Sequence, residues 1–280
     1  MTTLIQKVYI PENLSFACQV FTTPNFETKW HIHEEIEIIV IVKASGTAMI
    51  GDYIGEYRVG DLYFIGSNVP HCFRKYHDLE IGSALVLQFK KDVLGVEFLN
   101  NPELEKIASL VKSANGLLLK EPLRHVIEIQ LVSLQIATGY ERIKLLLDIL
   151  HQISIFKHNE LLTRNTEFNH KNTNPIIEYI LDYTFKNYLE VITLQEIAKV
   201  AKMSIPTFCR FFKKNIKKTY FDFLQDLRIT QASKLLRTTD KSIQEICFKS
   251  GYNSWAHFSK QFKEVQKMTP NKYRKAFVEN

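Results

Sequence analysis

The chain has 280 residues, 45% hydrophobic and 24% charged, with 36 Lys and Arg against 30 Asp and Glu for a net charge of +6. That length suggests about two domains at roughly 100–200 residues each, and no apolar run approaches the roughly 18 residues that a membrane span needs. The start has no basic segment followed by an apolar one, so no signal peptide is expected. Four widely spaced cysteines without a CxxC pair argue against a disulfide framework or zinc knuckle and for a reduced, cytoplasmic setting. The charge is uneven. Residues 175–280 carry 19 Lys and Arg against 10 Asp and Glu, and residues 1–174 carry 17 against 20. A basic C-terminal part on a mildly acidic N-terminal part fits polyanion binding by one domain.

Residues 1–95 alternate short β-branched and aromatic runs with turn signals. The expected strands are Phe16–Val20, Glu35–Val42, Gly46–Ile50, Tyr53–Val59, Asp61–Ile65 and Ser83–Phe89, punctuated by Gly51-Asp52 and Gly60-Asp61. So many short strands close naturally into a small barrel or double-sheet jelly roll. Within them, His31, His33, Glu35 and Glu37 would share one strand face by the period of two.

The spacing His31-x-His33-x3-Glu37, followed by Gly60-Asp61 and later Pro70-His71, resembles the two motifs of the cupin family. The resemblance implies His31, His33, Glu37 and His71 as the residues that ligate a divalent ion in metal cupins, a donor set suited to Zn, Fe, Mn or Ni. Two departures stand out. The turn before His71 is rebuilt as Gly66-Ser67-Asn68-Val69-Pro70, and Asn25 stands where the first motif has its leading glycine. Three readings therefore stay open: a small-molecule pocket without obligatory metal, a metal site, or a polar cluster that satisfies itself. Barrel mouths are common ligand sites, and Trp30, Tyr63 and Phe64 would wall such a pocket.

From Val96 the period becomes helical. Phe98, Ile107, Leu110 and Val111 accompany Pro102, a good helix starter. Leu117–Leu119 reads as a strand or a buried connector. Pro122 opens a helix through Ile136, and another follows Thr138-Gly139 from Ile143 to Phe156. The second has an apolar surface wider than one face requires, so a dimer contact is expected there. Lys157–Asn174 is rich in Asn, Thr and Lys without periodicity and reads as a linker.

The C-terminal part contains one local pattern twice. Leu194-Gln195-Glu196-Ile197-Ala198, Met203-Ser204, Phe208 and Arg210-Phe211-Phe212-Lys213-Lys214 recur as Ile243-Gln244-Glu245-Ile246-Cys247, Tyr252-Asn253-Ser254, Phe258 and Ser259-Lys260-Gln261-Phe262-Lys263. The offset is 49 at Ile197/Ile246 and 50 at Phe212/Phe262, so the second turn holds one extra residue. A short helix, a tight turn and a basic second helix is how a helix-turn-helix reads. Thr193 with Glu196, and Ser242 with Glu245, form capping boxes. Ser204 caps the first probe helix, Phe208, Phe211 and Phe212 hold it to the core, and Gly251 suits a positive-φ turn. Phe221 to Leu236 forms a long connecting helix.

These two units, Arg228-Ile229-x-x-Ala232-x-x-Leu235-Leu236 between them, and Thr269-Pro270-x-x-Tyr273-Arg274 at the end resemble the AraC/XylS family of bacterial transcription regulators over roughly 175–276. A cupin followed by helices is also that family's usual sensor arrangement. Lys217 and Lys267 stand where the family has Gly, so those two C-caps are expected to be frayed or strained. The resemblance implies two probe helices in successive major grooves, about 34 Å apart. The first presents Ser204, Ile205, Pro206, Thr207, Cys209 and Arg210; the second presents Asn253, Ser254, Trp255, Ala256, His257, Ser259 and Lys260. Arg210 can grip guanine O6 and N7 together, whereas Pro206 donates nothing. Lys213, Lys214 and Lys263 are better placed for phosphates.

The expected fold class is α+β: an N-terminal cupin-like β-barrel with trailing helices and a C-terminal all-α double helix-turn-helix domain. The domains are 1–156 for effector binding and dimerisation (barrel 1–95, helices 96–156), a linker at 157–174, and a DNA-binding domain at 175–280. The function read from this is a non-enzymatic, sequence-specific DNA-binding regulator controlled by a small molecule held by Trp30, His31, His33, Glu37, Tyr63 and His71. Its expected partners are double-stranded DNA, the effector, a second copy of the chain, and RNA polymerase if it activates; no membrane is involved. No cofactor is required. The alternative is a metal-dependent cupin enzyme with an appended basic domain.

Overall fold

The computed structural model describes residues 8–23, 26, 29–77, 79–113, 115–163 and 175–278. The described residues divide into two compact units, one holding most of residues 8–163 and the other holding residues 175–278.

The N-terminal unit is built on two antiparallel sheets. Strands β1 (Phe16–Thr22), β2 (Ile36–Lys43), β3 (Gly46–Ile50), β4 (Tyr53–Tyr57), β5 (Leu62–Ile65), β6 (His71–Lys75) and β7 (Ser83–Phe89) are followed by β8 (Gly116–Leu118) and β9 (Glu160–Leu161). The larger sheet runs β1-β7-β2-β5-β8-β9 and the smaller runs β4-β3-β6. Alternation along the strands sorts the side chains. Ile36, Ile38 and Val40 of β2, Leu62 and Phe64 of β5, and Leu85, Leu87 and Phe89 of β7 face one core. Ile39, Ile41, Tyr63, Ile65, Ala84 and Val86 face a second core between the sheets, filled by Tyr57, Phe26 and Phe73. The rings of Tyr57 and Tyr63 each meet Phe73 edge-on at 5.5 Å.

The first core is completed by α1 (Glu105–Lys112), α2 (Leu123–Ile136) and α3 (Tyr140–Ile155). Phe98–Asn100 and Pro102–Leu104 are short 3-10 turns ahead of α1. Arg142 donates to the carbonyls of Leu134 and Phe16 and lies over the Phe16 ring, so one cation ties α2, α3 and β1 together.

Several expectations need correction. His71–Lys75 is a strand, hidden in the sequence because Pro70 and the motif histidine suggest a turn. The sheet is not confined to residues 1–95, since β8 and β9 extend it. The proposed linker therefore begins later than Lys157: Leu162 and Thr163 are buried, and the Thr163 hydroxyl accepts from the Gly116 amide. Residues 164–174 of that linker, and Asn25, lie outside the described residues. Phe64 faces the helices and is not a wall of the space between the sheets. The apolar surface of α3 is taken up by its own unit, through buried Leu146, Ile149, Leu150 and Ile153. The more exposed apolar stripe is Val126, Ile129, Val132 and Ile136 on α2.

The C-terminal unit is all helix: α4 (Pro175–Asn187), α5 (Leu194–Val200), α6 (Ile205–Ile216), α7 (Tyr220–Thr238), α8 (Ile243–Lys249), α9 (Trp255–Gln266) and α10 (Pro270–Val278). The long α7 serves both halves. Its early residues Tyr220 and Phe223 meet Phe208 and Phe212 of α6, with Tyr220 5.5 and 5.3 Å from those two rings. Its later residues Ile229, Ala232 and Leu236 share a core with Ile246, Cys247, Phe258, Phe262 and Tyr273. Among the described residues, no helix is long and apolar enough to cross a membrane.

Candidate nucleic-acid interface and polar cluster

The two helix-turn-helix units share their capping boxes and their turn hydrogen bonds. Both capping boxes are present, at Thr193/Glu196 and Ser242/Glu245. In the turns, Met203 N donates to Ala198 O and Tyr252 N to Cys247 O, an offset of 49. At the probe-helix starts, Phe208 N donates to Ser204 O and Phe258 N to Ser254 O, an offset of 50. The extra residue is therefore Asn253, immediately before the second N-cap. Lys202 and Gly251 are equivalent, and both adopt positive φ, at 54° and 82°.

The capping of the two probe helices differs. Ser254 accepts from the His257 amide, whereas the Ser204 hydroxyl pairs with Thr207 Oγ1 at 2.9 Å and makes no cap to the backbone. Pro206 at the second helical position has no N–H to offer. Lys217 and Lys267 end the probe helices in the left-handed conformation, at φ 63° and 59°. A left-handed φ at a lysine bears out the strain expected of these C-caps, and Lys217 N still donates to Lys213 O.

The buried seam of α6 is Phe208, Phe212 and Ile216, and that of α9 is Phe258 and Phe262. The opposite faces point to solvent. Ser204, Ile205, Pro206, Thr207, Cys209, Arg210, Lys213 and Lys214 are all exposed, as are Asn253, Ser254, Trp255, Ala256, His257, Lys260 and Lys263. Ser259 is half-buried, and so is Phe211, which holds the core less than expected. Ile205 and Trp255 occupy the same first helical position and are 40% and 45% exposed. Trp255 leans on Phe258 at 5.8 Å, so its ring has a fixed base and a free edge.

In the N-terminal unit, His31, His33, Glu37 and His71 come together and all are buried. They do not share one continuous strand, because β2 begins only at Ile36. A backbone clip replaces it: His31 N donates to His71 O and His71 N to His31 O, at 3.2 and 3.0 Å. Each imidazole Nδ1 donates to a carbonyl two residues away, His31 to Lys29 at 2.8 Å, His33 to Glu35 at 3.0 Å and His71 to Val69 at 2.9 Å. That fixes the tautomer and leaves Nε2 for the interior. Glu37 Oε2 lies 3.1 Å from His71 Nε2, and Oε1 lies 3.3 Å from His33 Nε2, an ion-pair contact without hydrogen-bond alignment.

Burial works against charge on His33, but the Glu37 carboxylate outweighs it and raises the imidazole pKa. Burial, then the neighbouring His71 and His33, hold His31 well below the usual range. Burial also pushes the Glu37 carboxyl up, but the two facing imidazoles bring it well below the ordinary carboxylate value. One nitrogen from each of His31, His33 and His71 lies within 4.8 Å of the others. Three imidazole nitrogens with a buried carboxylate beside them fit a divalent transition metal.

Residues 197–276 match a family model described as a helix-turn-helix domain. The chain is 26% identical over 259 residues to YdeC of Bacillus subtilis, named an uncharacterised HTH-type transcriptional regulator, covering 88% of this chain and 85% of that protein. It is 24% identical over 250 residues to the transcriptional activator RhaR of Mannheimia succiniciproducens, covering 89% and 87%. It is 32% identical over 100 residues to the Tn10 TetD protein of Escherichia coli, covering 36% of this chain and 72% of that one. The chain belongs to the AraC family of transcription regulators.

In this AraC-family chain some marker residues serve the fold. Arg228 donates to the carbonyls of Tyr188 and Glu190, both at 2.7 Å, and faces the Tyr252 ring. Arg274 donates to the carbonyls of Leu236 and Lys241. Both cations are thereby used inside the domain. Trp30 and Tyr63 are buried, and the Tyr63 hydroxyl is directed to Asp61 Oδ2 and not to the histidines. One partner was missed from the sequence. Gln88 stands opposite Glu37 in the β2–β7 register and donates to Glu37 Oε1. The available signal was a lone amide at an inward position of the apolar strand Ser83–Phe89.

Proposed function

We propose that this regulator binds double-stranded DNA sequence-specifically with α6 and α9 in successive major grooves, under control of its cupin-like N-terminal unit. The observation carrying the first half is the pair of similarly built probe helices, each with an apolar seam inside and, over its first two turns, an uncharged or cationic face outside. Arg210 is the principal base reader, since a guanidinium fork matches guanine O6 and N7. Lys213, Lys214 and Lys263 neutralise phosphates. The outer faces differ, so each copy addresses two unlike half-elements.

The N-terminal unit senses a ligand at the His31, His33, Glu37 and His71 cluster, with Trp30 and Tyr63 buried in the same unit. Effector binding shifts the population of DNA-competent molecules by its differential affinity for them. The exposed apolar stripe on α2 supports a homodimer, and RNA polymerase is a further partner if the protein activates. The regulator names of the two relatives that align along most of the chain favour this reading over a metal-dependent cupin enzyme.

The test is a gel shift of the full chain on its own upstream region across a salt series. Binding should weaken steeply with salt and prefer the site over random DNA by about 10³-fold or more. Equal affinity for random DNA would replace this reading with that of an architectural DNA binder.

A further inference from the structure

We infer that the two probe helices read thymine methyl groups, through the apolar side chains of Ile205 and Trp255 at their first helical positions. This rests on the regulator reading above and names the base that each probe tip selects.

The probe tips offer little that is charged or hydrogen-bonding. Neither first turn carries an acidic side chain, and Lys213, Lys214 and Lys263 lie in the last turns. The polar groups of the tips are engaged internally. The Ser204 and Thr207 hydroxyls pair at 2.9 Å, and the Ser254 hydroxyl accepts from the His257 amide. The His257 ring meets Tyr252 edge-on at 5.7 Å, and Pro206 has no N–H. What the tips present outward is therefore apolar: Ile205 and Pro206 on α6, Trp255 and Ala256 on α9, all exposed. Single exposed apolar residues are ordinary on a protein surface. Here the repeat puts a large one at the same position twice, beside seams that Phe208, Phe212, Phe258 and Phe262 already close at 0% exposure.

A first-position side chain leans toward the helix N-terminus, the end that a helix-turn-helix probe directs at base edges. In the major groove thymine alone presents an apolar group, its C5 methyl. An apolar tip covers that methyl and makes no use of a phosphate. The Trp255 ring rests on Phe258 at 5.8 Å, so little side-chain freedom is lost when it is covered. Arg210 follows Ile205 by five residues, about 7.5 Å along the helix axis. Its guanine and the Ile205 thymine should then fall within about three base pairs of each other, at roughly 3.4 Å per pair.

The experiment uses the full chain and its preferred site in the upstream region. Thymines of the site are replaced one at a time by deoxyuridine, which removes the methyl and keeps the base pairing. One position in each half-element should lose about 4-fold in affinity, the worth of one covered methyl group, and both together about 16-fold. Thymines elsewhere in the site should be insensitive. Ile205→Ala should abolish the effect at one position and Trp255→Ala at the other. Both residues lie outside the buried seams, and the uracil scan itself needs no variant, so it stands even where a variant misfolds.

A site whose affinity no uracil changes overturns the inference and leaves the regulator reading intact. So does a methyl effect that survives in both variants. A Trp255→Ala chain that weakens on all sequences alike, without a uracil effect, overturns it too and marks the indole as a wedge between base steps. Absence of site-specific binding on unmodified DNA removes the regulator reading, and this inference with it.

Discussion

Gly251 offers a sharp test of how the second helix-turn-helix is held, because the first unit supplies its own control. At φ +82° an alanine enters the left-handed region, which costs about 1 kcal/mol. The added Cβ would also lie 2.8 Å from the Tyr188 carbonyl oxygen, 2.9 Å from Arg228 Nε and 3.1 Å from Leu189 Cα. Two of these atoms are backbone, and the Tyr188 carbonyl is pinned by Arg228 at 2.7 Å. Relief therefore requires backbone movement, worth about 1–3 kcal/mol by analogy with overpacked cores. Gly251→Ala should destabilise the C-terminal unit by roughly 2–4 kcal/mol. For a unit of about 100 residues that lowers the melting temperature by roughly 8–30 °C. The equivalent Lys202 sits at φ 54° with its side chain in solvent, so Lys202→Gly trades strain relief against chain entropy and should stay within about 0.5 kcal/mol. Calorimetry of the full-length variants reads both. If the alanine variant melts within about 2 °C of wild type, less than a 1 kcal/mol effect would give, the close approach around Gly251 is not rigid and the reasoning fails.

Arg210→Ala should weaken binding to the preferred site by about 1–3 kcal/mol and relax specificity at one base pair, whereas Lys213→Ala should weaken all sequences alike and lower the salt slope by about one; a footprint series and a salt titration separate the two. Ser242→Ala removes a capping box from the exposed start of α8 and should cost about 1 kcal/mol, seen in chemical unfolding; no change would show that the tertiary packing of Ile246 and Cys247 alone sets the helix start. Ile129→Glu, in the exposed stripe of α2, should leave the melting temperature within the range of ordinary surface changes, about ±0.5 kcal/mol, while shifting sedimentation from dimer to monomer. An unaltered dimer would move the subunit contact elsewhere.

Much of the C-terminal unit was legible because its determinants are local. Capping boxes, the Phe208/Phe212 and Phe258/Phe262 seams, and the Pro and Gly positions act within a few residues, and the repeat states them twice. The limits show where a residue's partner is remote. Arg228 and Arg274 stood out in the sequence only as family markers, and each is engaged by carbonyls 33 to 40 positions away. The C-caps at Lys217 and Lys267 enter the left-handed region without a glycine, so the strain expected there is present and the fold carries it.

The sequence alone determined the two-part organisation, the period of most elements, and the exposed faces of α6 and α9, since burial of a 3.6-residue or two-residue stripe is dictated by the chain itself. It also named His31, His33, Glu37 and His71. Only the tertiary structure decided how these four meet. The His31–His71 backbone clip, the recruitment of Gln88 across β2 and β7, the sheet extension by β8 and β9, and the turning of Phe64 toward the helices all depend on strand register. Register is a long-range property: sliding one strand by a single residue exchanges every side chain between the two faces.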